Sequence, residues 1–90
     1  MIIVTGYLRV AETARDDFVQ SHRAVVEQAR RAEGCLAFAL SADPLEPNRV
    51  LVLERWVDRA ALEAFRGSGP DGGAFEAIEE FVVGEYDVVE

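Results

Sequence analysis

The chain has 90 residues, half of them hydrophobic and 29% charged, which is the size and make-up of one globular domain spanning 1–90. Seventeen acids against nine bases leave a net charge of −8, which opposes binding to nucleic acid or to an anionic membrane surface. The single cysteine, Cys35, excludes an internal disulfide and a cysteine-built zinc site. No run reaches the roughly 18 apolar residues of a membrane span. The segment beginning at Met1 lacks the basic start and long apolar run of a signal peptide, so a cytoplasmic address is expected.

Residues 2–10 alternate as a strand, with Ile2, Val4, Leu8 and Val10 on one face and Ile3, Thr5, Tyr7 and Arg9 on the other. Thr13 then offers an N-cap, with Asp16 three residues on. Phe18, His22, Val25, Val26 and Ala29 follow at helical spacing, predicting one amphipathic helix of about 19 residues. Gly34 stands where a left-handed C-terminal residue is wanted. Cys35 to Ala42 reads as the second strand, with Leu36, Phe38 and Leu40 alternating against Cys35, Ala37 and Ala39.

The two prolines between Asp43 and Asn48 mark a turn. Arg49 to Val57 is the most β-prone segment and forms the third strand. Asp58 caps a short helix carrying Ala61, Leu62 and Phe65, which the run Gly67 to Gly73 interrupts. A second helical piece is expected to carry Phe75, Ile78 and Phe81, and Glu85 to Val89 closes the chain as the fourth strand.

The order β-α-β-β-α-β is the ferredoxin-like α+β motif, an antiparallel four-stranded sheet with helices on one face. Two helices cover one face of such a sheet, yet Leu51 and Leu53 alternate with Val50, Val52 and Trp56. Leaving one apolar face wet would forfeit several kcal/mol at about 25 cal/mol per Å². The expected cover is the same face of a second copy, making a homodimer.

His22 is the only histidine and lies in the apolar stripe of the first helix. It is either a core histidine bonded to backbone or a general base in a cavity between helix and sheet. Neither a histidine-rich nor a carboxylate-only metal site has a spacing signature here. Period-two geometry puts Glu54 and Trp56 on one face and Arg55 on the other. A glutamate beside an aromatic needs a partner, for which Arg9 and Arg55 are the candidates. The Gly67–Gly73 run is no phosphate loop, because no Lys-Ser/Thr follows it and no strand feeds it. Glu76, Glu79 and Glu80 read as a solvated helical face.

Glu33-Gly34-Cys35-Leu36, the Asp43-Pro44 turn and Glu54-Arg55-Trp56-Val57-Asp58, with Ala61-Leu62-Glu63-Ala64 behind, resemble the antibiotic biosynthesis monooxygenase family. The resemblance is strongest between positions 33 and 66. It implies a dimeric α+β barrel, and some members oxidise quinols or anthrones with O₂ using neither metal nor flavin. No cofactor is therefore expected, and the implied partners are O₂, a small aromatic or apolar molecule and a second copy. Phe38, Trp56, Phe65, Phe75 and Phe81 are the expected lining. His22 is the expected base, with Tyr7, Arg9 or Tyr86 holding the developing oxyanion. The resemblance also marks departures. A histidine common nine residues after the tryptophan is here Phe65, and a tyrosine common in the second strand is here Phe38. The haem-degrading branch resembles an Asn, Trp, His trio that falls near Gly6, Phe65 and Phe75, which disfavours that branch. Two alternatives are a non-catalytic dimeric module for a small ligand and a non-oxidative isomerase or cyclase on the same scaffold.

Overall fold

The computed structural model describes residues 1–68 and 77–89. The elements are β1 (Ile2–Val10), a 3-10 turn (Glu12–Ala14), α1 (Arg15–Ser21), α2 (Arg23–Arg31), β2 (Cys35–Ala42), β3 (Arg49–Trp56), α3 (Arg59–Ser68) and β4 (Ile78–Asp87). The strands form one antiparallel sheet in the order β2-β3-β1-β4. This is the ferredoxin-like α+β arrangement that the residue pattern predicts.

Alternation along β1 sends Ile2, Val4, Leu8 and Val10 toward the helices, none more than 5% exposed. In β3 Val50, Val52 and Trp56 do the same. Two clusters result. One gathers Ile2, Val4, Phe38 and Trp56 under Ala29 of α2 and Leu62 of α3. The other gathers Leu8, Val10, Val50 and Val52 under Phe18 of α1. Each Val, Leu, Ile or Phe side chain among them stabilises the fold by about 1.5–3 kcal/mol when fully buried.

Local signals fix the joints of the helical layer. Asp58 Oδ1 accepts the Ala61 N–H at 2.9 Å and caps α3 as expected. Gly34 takes φ +83°, and a Cβ there would stand 2.6 Å from Ala61 Cβ. Only glycine allows both that conformation and that approach of β2 to α3.

Three expectations are corrected. The first helix is not continuous: it breaks at His22, and no side chain caps the 3-10 turn or α1, so Thr13 does not serve as N-cap. The cause is local. Ser21 Oγ and His22 Nδ1 both donate to the Phe18 carbonyl, at 2.8 and 2.7 Å, and the His22 N–H turns instead to the Val19 carbonyl. Side chains have taken the acceptor that the next helical turn needs.

Second, Ile78 and Phe81 lie in β4, not in a helix; Phe75 lies outside the described residues. The register slips at β4, where Arg9 pairs with Glu80 but Val10 with Ile78. This bulge puts residues three apart on one face and so imitates helical spacing. Third, a bulge in β2 sets Cys35 opposite Trp56 and Ala37 opposite Arg55. Leu36 is thereby taken out of the Phe38–Leu40 row and is half exposed.

On the other face of the sheet Leu51, Leu53, Val82 and Tyr86 are 36–56% exposed. None of the described helices lies against that side. Arg9 and Arg49 stand 5.1 and 5.2 Å from the Tyr7 ring at one end of it.

Candidate active site

The residues with chemical potential are divided by the sheet. On the helix side, the strand period sets Glu54 and Trp56 side by side, and the register puts Phe38 across from Glu54 on β2 and Val4 across from it on β1. Continuing the same row, Val4 pairs with Glu85 of β4. Above this row Phe65 of α3 stacks on Trp56 at 5.3 Å and meets Phe38 edge-on at 5.9 Å. Three of the five expected lining residues, Phe38, Trp56 and Phe65, are therefore in one cluster. Phe81 is half exposed, opposite Leu8 in the other cluster.

Glu54 is the polar centre of this cluster. Its Oε1 accepts the indole N–H of Trp56 at 3.0 Å, so neither of the expected arginines is its partner; Arg9 and Arg55 belong to the opposite face. Burial pushes the Glu54 carboxyl above its ordinary value, against the indole hydrogen bond and the charge of Arg66, while Glu85 adds to the push. Glu85 is itself held below its ordinary value by Arg59 and Arg66, which it bridges at 2.9 and 3.0 Å. These two pairs tie α3 to β4 over the site. Among the described residues every fully buried side-chain oxygen or nitrogen has a hydrogen-bond partner. Among the described residues Glu54 Oε2 makes no hydrogen bond, and Glu54 is only partly buried.

Beside Phe38 the outer edge of β2 and α2 form a groove of about 340 Å³ lined by Arg30, Cys35, Leu36, Ala37, Phe38 and Ala39. That is the lower end of the roughly 300–1,000 Å³ of small-molecule sites. Arg30 Nε donates to the Phe38 carbonyl at 2.9 Å and closes one unpaired edge group. The Cys35 thiol donates to the Ala37 carbonyl, and burial pushes it up; it is a packing residue, not a nucleophile.

His22 stands elsewhere on the helix side. Its ring lies 4.2 Å from that of Phe18, which belongs to the Val10–Val50 cluster. Because Nδ1 donates to the Phe18 carbonyl, only Nε2 is left to accept a proton. Tyr7, Arg9 and Tyr86 are on the opposite face of the sheet, by the strand pairing that also puts Leu51 there. The Arg9 guanidinium is bonded to Glu80, Asn48 and Glu46. The structure therefore does not bring these three to His22. Among the described residues no group of three His, Cys, Asp or Glu side chains could hold a metal ion, and no helix is long and apolar enough to cross a membrane.

The sequence pattern offers Glu54 partners on the wrong face, Arg9 and Arg55, and does not single out Arg66 or Glu85. The signal for the first was present, since a glutamate two residues before a buried tryptophan shares its face. Nothing marked the second, because the pairing needs the β1–β4 register.

Residues 1–81 match the family model described as antibiotic biosynthesis monooxygenase. A protein of Synechocystis, sll1783, is 31% identical over 62 residues, which is 69% of this chain and 42% of that one. The chain thus spans less than half the length of that relative. The Bacillus subtilis protein called "Putative monooxygenase YcnE" is 27% identical over 89 residues, 99% of this chain and 94% of that one. A crystal structure of an antibiotic biosynthesis monooxygenase superposes with a TM-score of 0.83 at 25% identity, covering 100% of both chains.

Proposed function

The chain belongs to the antibiotic biosynthesis monooxygenase family, and we propose that it is a homodimeric monooxygenase oxidising an aromatic, quinol-type or polyketide-type small molecule with O₂, using neither metal nor flavin. The observation that supports this most is the half-buried Glu54 carboxylate set against the rings of Trp56, Phe38 and Phe65. An apolar wall with one anionic acceptor suits a substrate that must lose a proton before it can reduce O₂. Once deprotonated, a phenol or anthrone is electron-rich enough to give electrons to O₂ directly. The protein then supplies orientation, exclusion of water and a proton acceptor.

Two side chains of the helical side can take that proton, His22 through Nε2 and Glu54 through Oε2. The homodimer is supported by the apolar face carrying Leu51, Leu53 and Val82, which a second copy would cover. In that arrangement Tyr7, Arg9 and Tyr86 become interface residues, and any part in catalysis runs through the partner. A cytoplasmic location belongs to the same proposal.

One observation favours a second reading. Phe65 continues the apolar wall where the family resemblance expects histidine, which suits a ligand-binding module. Oxygen uptake with a panel of quinols and anthrones separates the readings. Uptake coupled to one oxygenated product is the expected result. Binding without turnover would leave the module, and product without O₂ uptake would mean an isomerase or cyclase.

A further inference from the structure

The geometry points to Glu54 as the proton acceptor of the site, taking the acidic C–H or O–H proton of an aromatic substrate on Oε2 while Oε1 stays on the Trp56 indole. This rests on the proposed oxygenase reading and names the residue that begins its chemistry.

Glu54 stands on a strand, the most rigid kind of support, between Phe38 on one neighbour and Val4 on the other. One carboxylate oxygen is fixed at 3.0 Å by Trp56 Nε1, and Trp56 is itself fully buried. Among the described residues the other oxygen makes no hydrogen bond, and Glu54 is only partly buried. A carboxylate with one oxygen anchored and one free is oriented for proton transfer without reorganising. The charged and titratable groups around it are Arg66 on α3, Glu85 on β4 and Cys35 on β2. Arg66 is already bridged to Glu85, and among the described residues no salt bridge reaches Glu54. The burial that raises it makes it a stronger base than an exposed glutamate, and so better matched to a weakly acidic carbon.

For an anthrone-type methylene the atoms balance as follows. The C–H bond breaks, its electron pair stays on the ring system, and an O–H bond forms at Oε2. The carbanion and O₂ form a C–O bond, reducing O₂ to a peroxide anion, which takes the proton back from Glu54. Loss of the second C–H proton with cleavage of the O–O bond releases water and leaves a ketone. Two substrate hydrogens and one oxygen atom leave as water; the other oxygen stays.

The test separates proton transfer from oxygenation. Anthrone in D₂O under argon exchanges its methylene protons at a rate read by NMR, and O₂ uptake is read separately in air. Wild-type protein is expected to speed the exchange above background, with a limb that falls as pH drops through the Glu54 titration. Glu54→Gln, which can still accept the indole hydrogen bond, is expected to lose roughly 10²–10⁴ of both rates. Glu54→Asp should recover part of the exchange and guards against a glutamine variant that fails to fold. The chain has one tryptophan, so its indole N–H resonance reports the same titration and should lose it in Glu54→Gln. If wild type exchanges protons but consumes no O₂, and Glu54→Gln abolishes exchange, the base stands and the oxygenase reading falls. Exchange in folded Glu54→Gln within threefold of wild type would overturn the base, as would its loss in His22→Gln alone. Absence of any catalysed exchange in wild type would overturn it too.

Discussion

The Trp56 indole N–H donates to Glu54 Oε1 across 3.0 Å, two residues back on the same face of one strand. The pair satisfies a buried donor, yet it leaves a carboxylate in an apolar setting with only partial compensation. Desolvation raises the Glu54 carboxyl above its ordinary value. A raised carboxylate favours the protonated fold. Its stabilising effect is complete below the unfolded pKa and is lost as pH rises through the folded one. Glu54→Gln should therefore melt higher than wild type at pH 7, with the gain shrinking toward zero near pH 4. Thermal unfolding across that range checks it; a variant that melts lower than wild type at pH 7 would mean the charge is stabilising. A site that gains stability when its charge is removed is what a functional carboxylate predicts.

Asp43 behaves in the opposite sense. Its Oδ1 accepts the N–H groups of Leu45 and Glu46 at 2.8 and 2.9 Å, and its Oδ2 meets Arg49 at 2.7 Å. The backbone bonds from Glu46 and Leu45, then Arg49, lower its pKa to about 2. A lowered carboxylate contributes stability above its unfolded pKa and loses it as pH falls through the folded value. Wild-type protein should lose stability between about pH 4 and pH 2 through this group, and Asp43→Asn should remove that part of the slope. Denaturant midpoints taken at half-unit steps read the difference. Parallel slopes in the two proteins would contradict the assignment.

The fold was legible because alternation in β1 and β3 separates the two faces almost without exception. The run Ile2, Val4, Leu8 and Val10 is buried, and Leu51 and Leu53 are not. What was not legible came from local departures in the backbone. The β4 bulge gives Ile78 and Phe81 a helical interval in a strand. The knot at Phe18 breaks a stripe whose period is unbroken in sequence. The site was half legible: Phe38, Trp56 and Phe65 do meet. Alternation in β1 already sets Tyr7 and Arg9 on the face away from Ile2, Val4, Leu8 and Val10, whereas Tyr86 takes its side only through the β1–β4 register.

The exposed apolar face gives a direct test of assembly. Val50 is fully buried under the helices, whereas Leu51 points the other way and is 36% exposed. Leu51→Asp should leave the monomer's core untouched and convert a dimer into a monomer at micromolar concentration. Light scattering measures the mass, and the change should lower the melting temperature in a concentration-dependent manner. A wild-type protein that scatters as a monomer would remove the dimer from the proposal.

The break at His22 allows a test of why the first helix is two. The Phe18 carbonyl accepts from both Ser21 Oγ and His22 Nδ1, at 2.8 and 2.7 Å. Either donor alone satisfies it, so Ser21→Ala should cost little, about 0.5–1 kcal/mol. His22→Ala also loses the ring packed 4.2 Å from Phe18 and should cost about 1–2 kcal/mol. With both removed the carbonyl has no donor unless the residue-22 N–H swings back from Val19, which would require the two helices to straighten. That straightening would move α1 and Phe18 away from Leu8, Val10 and Val50. The double variant should therefore lose more than the sum of the single losses, a coupling of about 0.5–3 kcal/mol. Urea midpoints of the four proteins give the cycle. A double loss equal to or smaller than the sum would show that the carbonyl is not what holds the break.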